Sequence, residues 1–263
     1  MVGRKRKNSR KKPTLGNHQR SWIWGQHAVL EMLRAGRWQP LSVVICEELL
    51  DAALFAEAMS LLKLNSIEYR LADDAAEIEN LIHARDHQGM AANMTEFPTV
   101  ALDELMEGLP ENPFLLLLDR VQDPFNFGSI LRSADLFGVN GIIIGESEQV
   151  GVTSHVARSS VGAVNYLNIA TVASLPETVQ TLLEKSYQIV AATEKGTSSP
   201  SQIDLQKPVA IVIGNEGKGI QHELLALCNQ RCAIPQVGHI DSLNAAVAAG
   251  ILCYEVHRQR TTI

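Results

Sequence analysis

The chain has four cysteines in 263 residues, at positions 46, 228, 232 and 253, and none of them forms a CxxC pair. Cys228 and Cys232 stand four apart, one face of a helix if the segment is helical. No histidine or further cysteine accompanies them at ligand spacing, so no metal is expected. The four are read as reduced thiols of a cytoplasmic protein. No run of 18 uncharged apolar residues occurs, so no membrane span is expected. The N-terminus lacks the apolar stretch of a secretory signal. Two nucleotide-binding signatures are also missing. The glycines at 214, 217 and 219 give GxxGxG where the dinucleotide fold needs GxGxxG, and no GxxxxGK[ST] is present, so an NTPase reading has no support.

Acidic residues are absent from the first 30 positions, which hold eight basic ones. The remaining 15 basic residues face 29 acidic ones, so a basic arm precedes an acidic body. Lys5, Arg6, Lys7, Arg10, Lys11 and Lys12 crowd the arm, a footprint that suits a nucleic-acid partner. Residues 1–20 are too polar to bury a core and are expected to be disordered when free.

The body reads as two α/β units. Residues 21–95 alternate short apolar runs (41–46, 67–71, 87–94) with helical patterns at 52–64 and 73–83. Val29, Leu30 and Leu33 at helical spacing, with Gly36 after them, predict an earlier helix. Residues 96–112 contain Pro98 and Pro110 around a short amphipathic stretch and are read as a linker. From 113 to 263, near-continuous apolar strands alternate with helices, which predicts a mostly parallel sheet covered on both faces.

Three blocks place polar loops against such strands. DRVQDPFNFGSILRSADLFG (119–138) follows the strand FLLLL, with Asn126 near a helix start and Arg132 six residues on. An arginine close to a helix N-terminus opposes the macrodipole, which favours an assigned task such as gripping a phosphate. GNEGKG (214–219) ends a strand in a glycine-rich loop with one acid, Glu216. Such a loop lets a ligand approach backbone amides. IPQVGHIDSLNAAVAAG (234–250) passes from a strand through a polar loop into a helix of small residues, with Ser242 as the expected N-cap. Each block alone is also compatible with ordinary capping and close packing.

In this order the three blocks resemble the SpoU (TrmH) family of RNA 2′-O-ribose methyltransferases, of the SPOUT class. The family pattern runs DPxNxGxxxRxA, GxEgxG and IPmxGxxxSLNvsvA, and the resemblance covers residues 112–260. Residues 24–89, from WGQHAVLEML to ARDHQG, are similar to the L30e-like substrate-binding domain of the subgroup that includes a 23S rRNA guanosine methyltransferase.

The resemblance implies a trefoil-knotted C-terminal domain that binds S-adenosylmethionine. Backbone groups at Gly214, Ile234 and Leu243 would hold the cofactor, with Thr193 beside them. It implies a polar active site of Asn126, Arg132, Glu216 and Asn244, with Ser242 adjacent, and RNA contacts from Arg132 and Arg158. It also implies a homodimer through the C-terminal domain, for which Ala245, Ala248, Ala249, Leu252 and the helix after Asn126 are the expected face.

Three departures from the pattern stand out. Gln236 replaces Met, Ala245-Ala246 replaces Val-Ser, and His239 and Asp241 decorate the third loop. Ribosomal RNA is the favoured substrate, with tRNA methylation or a non-catalytic RNA-binding role as alternatives. Arg132 is a poor general base, since a guanidinium titrates above about 12, so it is assigned to phosphate positioning.

Overall fold

The computed structural model describes residues 21–240 and 242–261. The basic arm, Asp241 and the last two residues lie outside them.

Residues 22–94 form a four-stranded sheet in the order β1-β4-β2-β3, from β1 (Trp22–Trp24), β2 (Pro40–Ile45), β3 (Tyr69–Leu71) and β4 (Met90–Met94). Pairs β1/β4 and β4/β2 are antiparallel, and β2/β3 is parallel. Helices α1 (Gln26–Ala35), α2 (Ala52–Leu64) and α3 (Ala75–Ile82) connect the strands. Two of the starts and one of the stops have a clear local cause. Asp51 accepts from the Leu54 amide at 2.8 Å and Asp74 from the Glu77 amide at 3.0 Å. These are side-chain N-caps that satisfy otherwise orphaned donors. Gly36 ends α1 at φ 63°, a left-handed position that suits glycine.

The second sheet has six strands, all parallel, in the order β10-β8-β9-β5-β6-β7. They are β5 (Phe114–Leu118), β6 (Gly141–Gly145), β7 (Ile169–Val172), β8 (Gln188–Ala192), β9 (Val209–Ile213) and β10 (Gln230–Cys232). Alternate strand residues serve opposite faces. Leu116, Leu118, Ile142 and Ile211 pack with Phe127, Ile130 and Leu131 of α5 (Pro124–Leu136) and with Leu252 and Cys253 of α9 (Ala245–Arg260). Leu115, Leu117, Ile143 and Val212 pack with α4 (Leu102–Glu107), α7 (Leu175–Glu184) and α8 (His222–Leu227). Covering on both faces is why these strands read as unbroken apolar runs.

Two expectations change, on the 96–112 segment and on the dimer face. The 96–112 segment is part of this packing. Val100 bonds to the Ile169 carbonyl at 2.9 Å, and Leu105 of α4 is buried against the sheet. Its short amphipathic stretch has the second sheet as its partner. Cys228 closes α8 and Cys232 lies in β10, so the two do not share a helix. Burial pushes both thiols up to about 11 and that of Cys253 to about 12. Finally, Ala249 and Leu252 of the expected dimer face are in the core against α5, 0% and 1% exposed. The outward residues of α9 are instead Val247, Ile251 and Tyr254.

The two sheets are joined by specific contacts. Between them lies α6 (Ser154–Ser159) with the turn after it. Arg37 donates to the Leu167 carbonyl at 2.8 Å, and the Tyr166 hydroxyl donates to Glu31 at 2.6 Å. Arg158 on α6 is ion-paired with Asp86, and its guanidinium lies 4.1 Å from the centre of the Trp24 ring.

Candidate active site

β5, an interior strand, delivers residues 119–123 at the carboxyl end of its sheet. Asp123 caps α5 by accepting from the Phe125 amide at 2.9 Å, with Pro124 at the first turn, where its missing N–H costs nothing. Asn126 therefore sits inside the first turn of α5, two residues deeper than a helix beginning at 126 would place it, and is only 9% exposed. A buried amide needs partners on both ends, and Asn126 has them. Its Nδ2 donates to Glu216 Oε1 at 3.0 Å, and its Oδ1 accepts from Asn244 Nδ2 at 2.8 Å. Asn244 in turn caps α9, its Oδ1 accepting from the amides of Ala246 at 2.9 Å and Val247 at 3.2 Å. The cap of the last helix is thus Asn244, not Ser242. Leaving Ser242 and Leu243 outside the helix turns them toward the loops.

One hydrogen-bonded chain, Asn244 to Asn126 to Glu216, links all three blocks. Glu216 also accepts from the backbone amides of Gln122 and Asp123 at 3.4 and 3.3 Å. Burial alone would raise its pKa. The hydrogen bonds from Asn126 and from nearby backbone amides outweigh that and hold it below the ordinary glutamate value. Glu216 is an anion at neutral pH whose lone pairs are already engaged. It orients Asn126 and is a weak proton acceptor.

Beside this chain lies a cavity of about 310 Å³, walled by loop 214–219, Ala192, Glu194 and Leu243. A second space of about 80 Å³ adjoins it at Thr193, Cys232, Ile234 and Gln236. Ala192, Glu194, Ser242 and Leu243 border both. Thr193, Gly214, Ile234 and Leu243 are therefore brought together, and Ser242 joins them at the cavity and not in the amide chain. The larger space falls at the lower end of small-ligand pockets.

Two glycines permit the close loop crossings here. A Cβ on Gly214 would lie 2.4 Å from the carbonyl carbon of Gly219, and one on Gly196 would lie 2.4 Å from the Ala233 amide nitrogen. Residue 198 bridges to 232 at the same crossing. The wall is backbone and small side chains with two acids, Glu194 and Glu216, and one base, Lys218. Such a wall fits a mixed-charge ligand such as S-adenosylmethionine. Glu194 was not singled out from the sequence; its position directly after Thr193, at the end of β8, was the available signal.

Arg132 is placed differently. It lies on the exposed side of α5 with Phe125, Ser129 and Leu136, about 240° around the helix from Asn126. None of the hydrogen bonds of the amide chain reaches it. Arg158 is engaged within the chain, ion-paired with Asp86 and lying over the Trp24 ring. Lys5, Arg6, Lys7, Arg10, Lys11 and Lys12 lie outside the described residues. Among the described residues no group of three or more His, Cys, Asp or Glu is arranged to hold a metal ion.

The family model for the SpoU rRNA Methylase family matches residues 113–254, and the one for RNA 2′-O ribose methyltransferase substrate binding matches residues 22–100. A putative TrmH family tRNA/rRNA methyltransferase of Bacillus subtilis, YacO, is 32% identical over 250 residues, covering 94% of this chain and 99% of its own. Among solved structures, the chain is similar to the SpoU methyltransferase AviRb of Streptomyces viridochromogenes in complex with AdoMet. The TM-score is 0.76 at 27% identity, with 91% of this chain and 90% of that one covered. It is also similar to an AdoMet-bound rRNA methyltransferase of Sinorhizobium meliloti, with TM-score 0.77, 26% identity, and 94% and 90% coverage.

Proposed function

The chain belongs to the SpoU rRNA methylase family, an S-adenosylmethionine-dependent RNA methyltransferase, and we propose that it methylates a ribose 2′-hydroxyl of ribosomal RNA, a 23S guanosine in particular. The observation that carries this reading is the Asn244–Asn126–Glu216 chain, whose Glu216 end lines the 310 Å³ cavity while Asn126 and Asn244 face the adjoining groove. A bound S-adenosylmethionine supplies an activated methyl group on sulfonium. What the protein must add is alignment of the hydroxyl with that carbon and help with the leaving proton. Asn126 and Asn244 present fixed amide dipoles next to the cavity, and Glu216 locks the orientation of Asn126. A binding-only protein has no need of such a chain beside a small-ligand cavity.

Ribosomal RNA is favoured over transfer RNA because the similarity to the rRNA methyltransferase of Sinorhizobium meliloti runs over 94% of this chain, the substrate-binding unit at residues 22–100 included. A cytoplasmic location accompanies this substrate. Among the described residues no helix is long and apolar enough to cross a membrane.

The outward placement of Arg132 supports a homodimer through the C-terminal domain. Phe125, Val247, Ile251 and Tyr254 line a shallow apolar groove beside Asn126 and Asn244. Pairing two copies across it brings Arg132 of each toward the other's site, where it grips the phosphate next to the target ribose. The expected solution state is a dimer, and a monomer by light scattering at micromolar concentration would contradict it.

The test of the reaction is methyl mapping of ribosomal RNA from a deletion strain. One missing 2′-O-methyl mark, restored by the wild-type chain and not by Asn126→Ala, is the expected result. An unchanged 23S map together with a lost tRNA mark would transfer the assignment to tRNA.

A further inference from the structure

The dipeptide Asp119-Arg120 lies just before the amide chain and is not part of it. The Asp119 carboxylate, 1% exposed, accepts from the Gln221 amide at 2.6 Å and from Arg120 Nε at 2.9 Å and Nη2 at 3.2 Å. Arg120 Nη2 also donates to the Gly219 carbonyl at 3.3 Å, while the Arg120 carbonyl accepts from Asn215 Nδ2 at 2.8 Å. Asn215 and Gly219 close the loop by exchanging backbone hydrogen bonds at 3.1 and 2.9 Å. Loop 214–220 is thus fastened at its neck by one buried ion pair, and its tip carries Glu216 to Asn126. Arg120 reaches this arrangement with φ 60°, a left-handed conformation that a side-chain-bearing residue rarely adopts. A strained residue held by several partners points to a task beyond packing, and two of those partners, Asn215 and Gly219, belong to the wall of the cofactor cavity, while Asp119 and a more distant Glu148 anchor it from outside.

We propose that Asp119 and Arg120 are positioning residues for methyl transfer: they hold loop 214–220 in the shape that forms the cofactor cavity and keeps Glu216 against Asn126. The inference rests on the cofactor cavity assigned above. Neither residue touches the reacting atoms. Both act through Gly219, Asn215 and Gln221.

The backbone strain supplies a clean experiment. Glycine accepts φ 60° without penalty, so Arg120→Gly removes the clamp while relieving strain. Binding of S-adenosylhomocysteine is measured by calorimetry on the full chain, with thermal stability and RNA affinity measured in parallel. The expected result is at least a tenfold weaker Kd for Arg120→Gly with RNA affinity unchanged; Tm falls as well, because the buried Asp119 carboxylate loses its ion-pair partner, so rescue by lysine is the discriminating readout. Arg120→Lys, which keeps a charge for Asp119, recovers part of the loss. Asp119→Asn weakens binding in the same direction and provides a second variant should Arg120→Gly fold poorly. Equal Kd values for wild type and both clamp variants would overturn the inference. So would Kd and Tm falling together in Arg120→Gly without rescue by lysine, which is the mark of a purely structural pair. Failure of the wild type to bind would count against the cavity assignment itself.

Discussion

At the scale of single residues, the site rests on amides that have no freedom left. Asn126 donates to Glu216 and accepts from Asn244, so its Oδ1 and Nδ2 are assigned by their partners. Replacing it with Ala leaves Glu216 and Asn244 short of a partner, a loss of roughly 1–3 kcal/mol for a buried polar group. Asn126→Ala should therefore lower Tm by a few degrees and methyl transfer by much more, on the order of 100-fold or greater. Steady-state kinetics beside a melting curve separates the two effects.

Glu216 gives a pH prediction. Its folded pKa is depressed, so its contribution to stability is fully present above the unfolded value and is lost as pH falls through the folded one. Wild-type Tm should drop on acidification from about pH 5 to about pH 3, and Glu216→Gln should flatten part of that drop. An identical acid profile for the two proteins would remove Glu216 from the account. Arg132→Ala should abolish methyl transfer while leaving cofactor affinity close to wild type, because Arg132 borders neither cavity space. A parallel fall in affinity would show that it belongs to the cofactor wall.

At the scale of elements, most of the molecule was legible because burial writes periodicity into sequence. The helix at 52–64 and the strands FLLLL, GIIIG and VAIVI could be read from apolar runs and caps. Ser242 and Asn244 could not be separated as caps by type, since both suit the position. Only the bond from Asn244 to Asn126, 118 residues away, decides between them. The linker stretch could not announce its packing either, because the partner of Leu105 is a sheet built from later residues. The small residues of α9 were legible as a close-packing face, but whether that face meets its own chain or a second copy is not a local property. The structure gives Ala249 and Leu252 to the core and leaves Val247, Ile251 and Tyr254 outside.

The loop crossing is the element most sensitive to change. Gly196→Ala would put a Cβ 2.4 Å from the Ala233 amide nitrogen, and the obstacle is backbone, which cannot swing aside. The expected outcome is loss of cofactor binding with a lower Tm. Normal binding by this variant would mean that the crossing relaxes freely.

At the scale of the whole molecule, charge is divided between a basic arm and an acidic body. Deleting residues 1–20 removes eight basic residues. Even partial engagement of these with RNA should flatten log K against log salt by several units, at about 0.7 per single-strand phosphate contact. Equal slopes for full-length and truncated protein would mean that the arm does not touch RNA. Cofactor affinity should not change, because the cavity is built wholly from residues 192–245.

The most direct measurement is transfer of a labelled methyl group from S-adenosylmethionine to purified 23S ribosomal RNA lacking its own modification, followed by nucleoside analysis. The account predicts label in a single 2′-O-methylated nucleoside, with none when the same position carries a 2′-deoxyribose. Label on a base, or transfer that persists on the 2′-deoxy substrate, would contradict it.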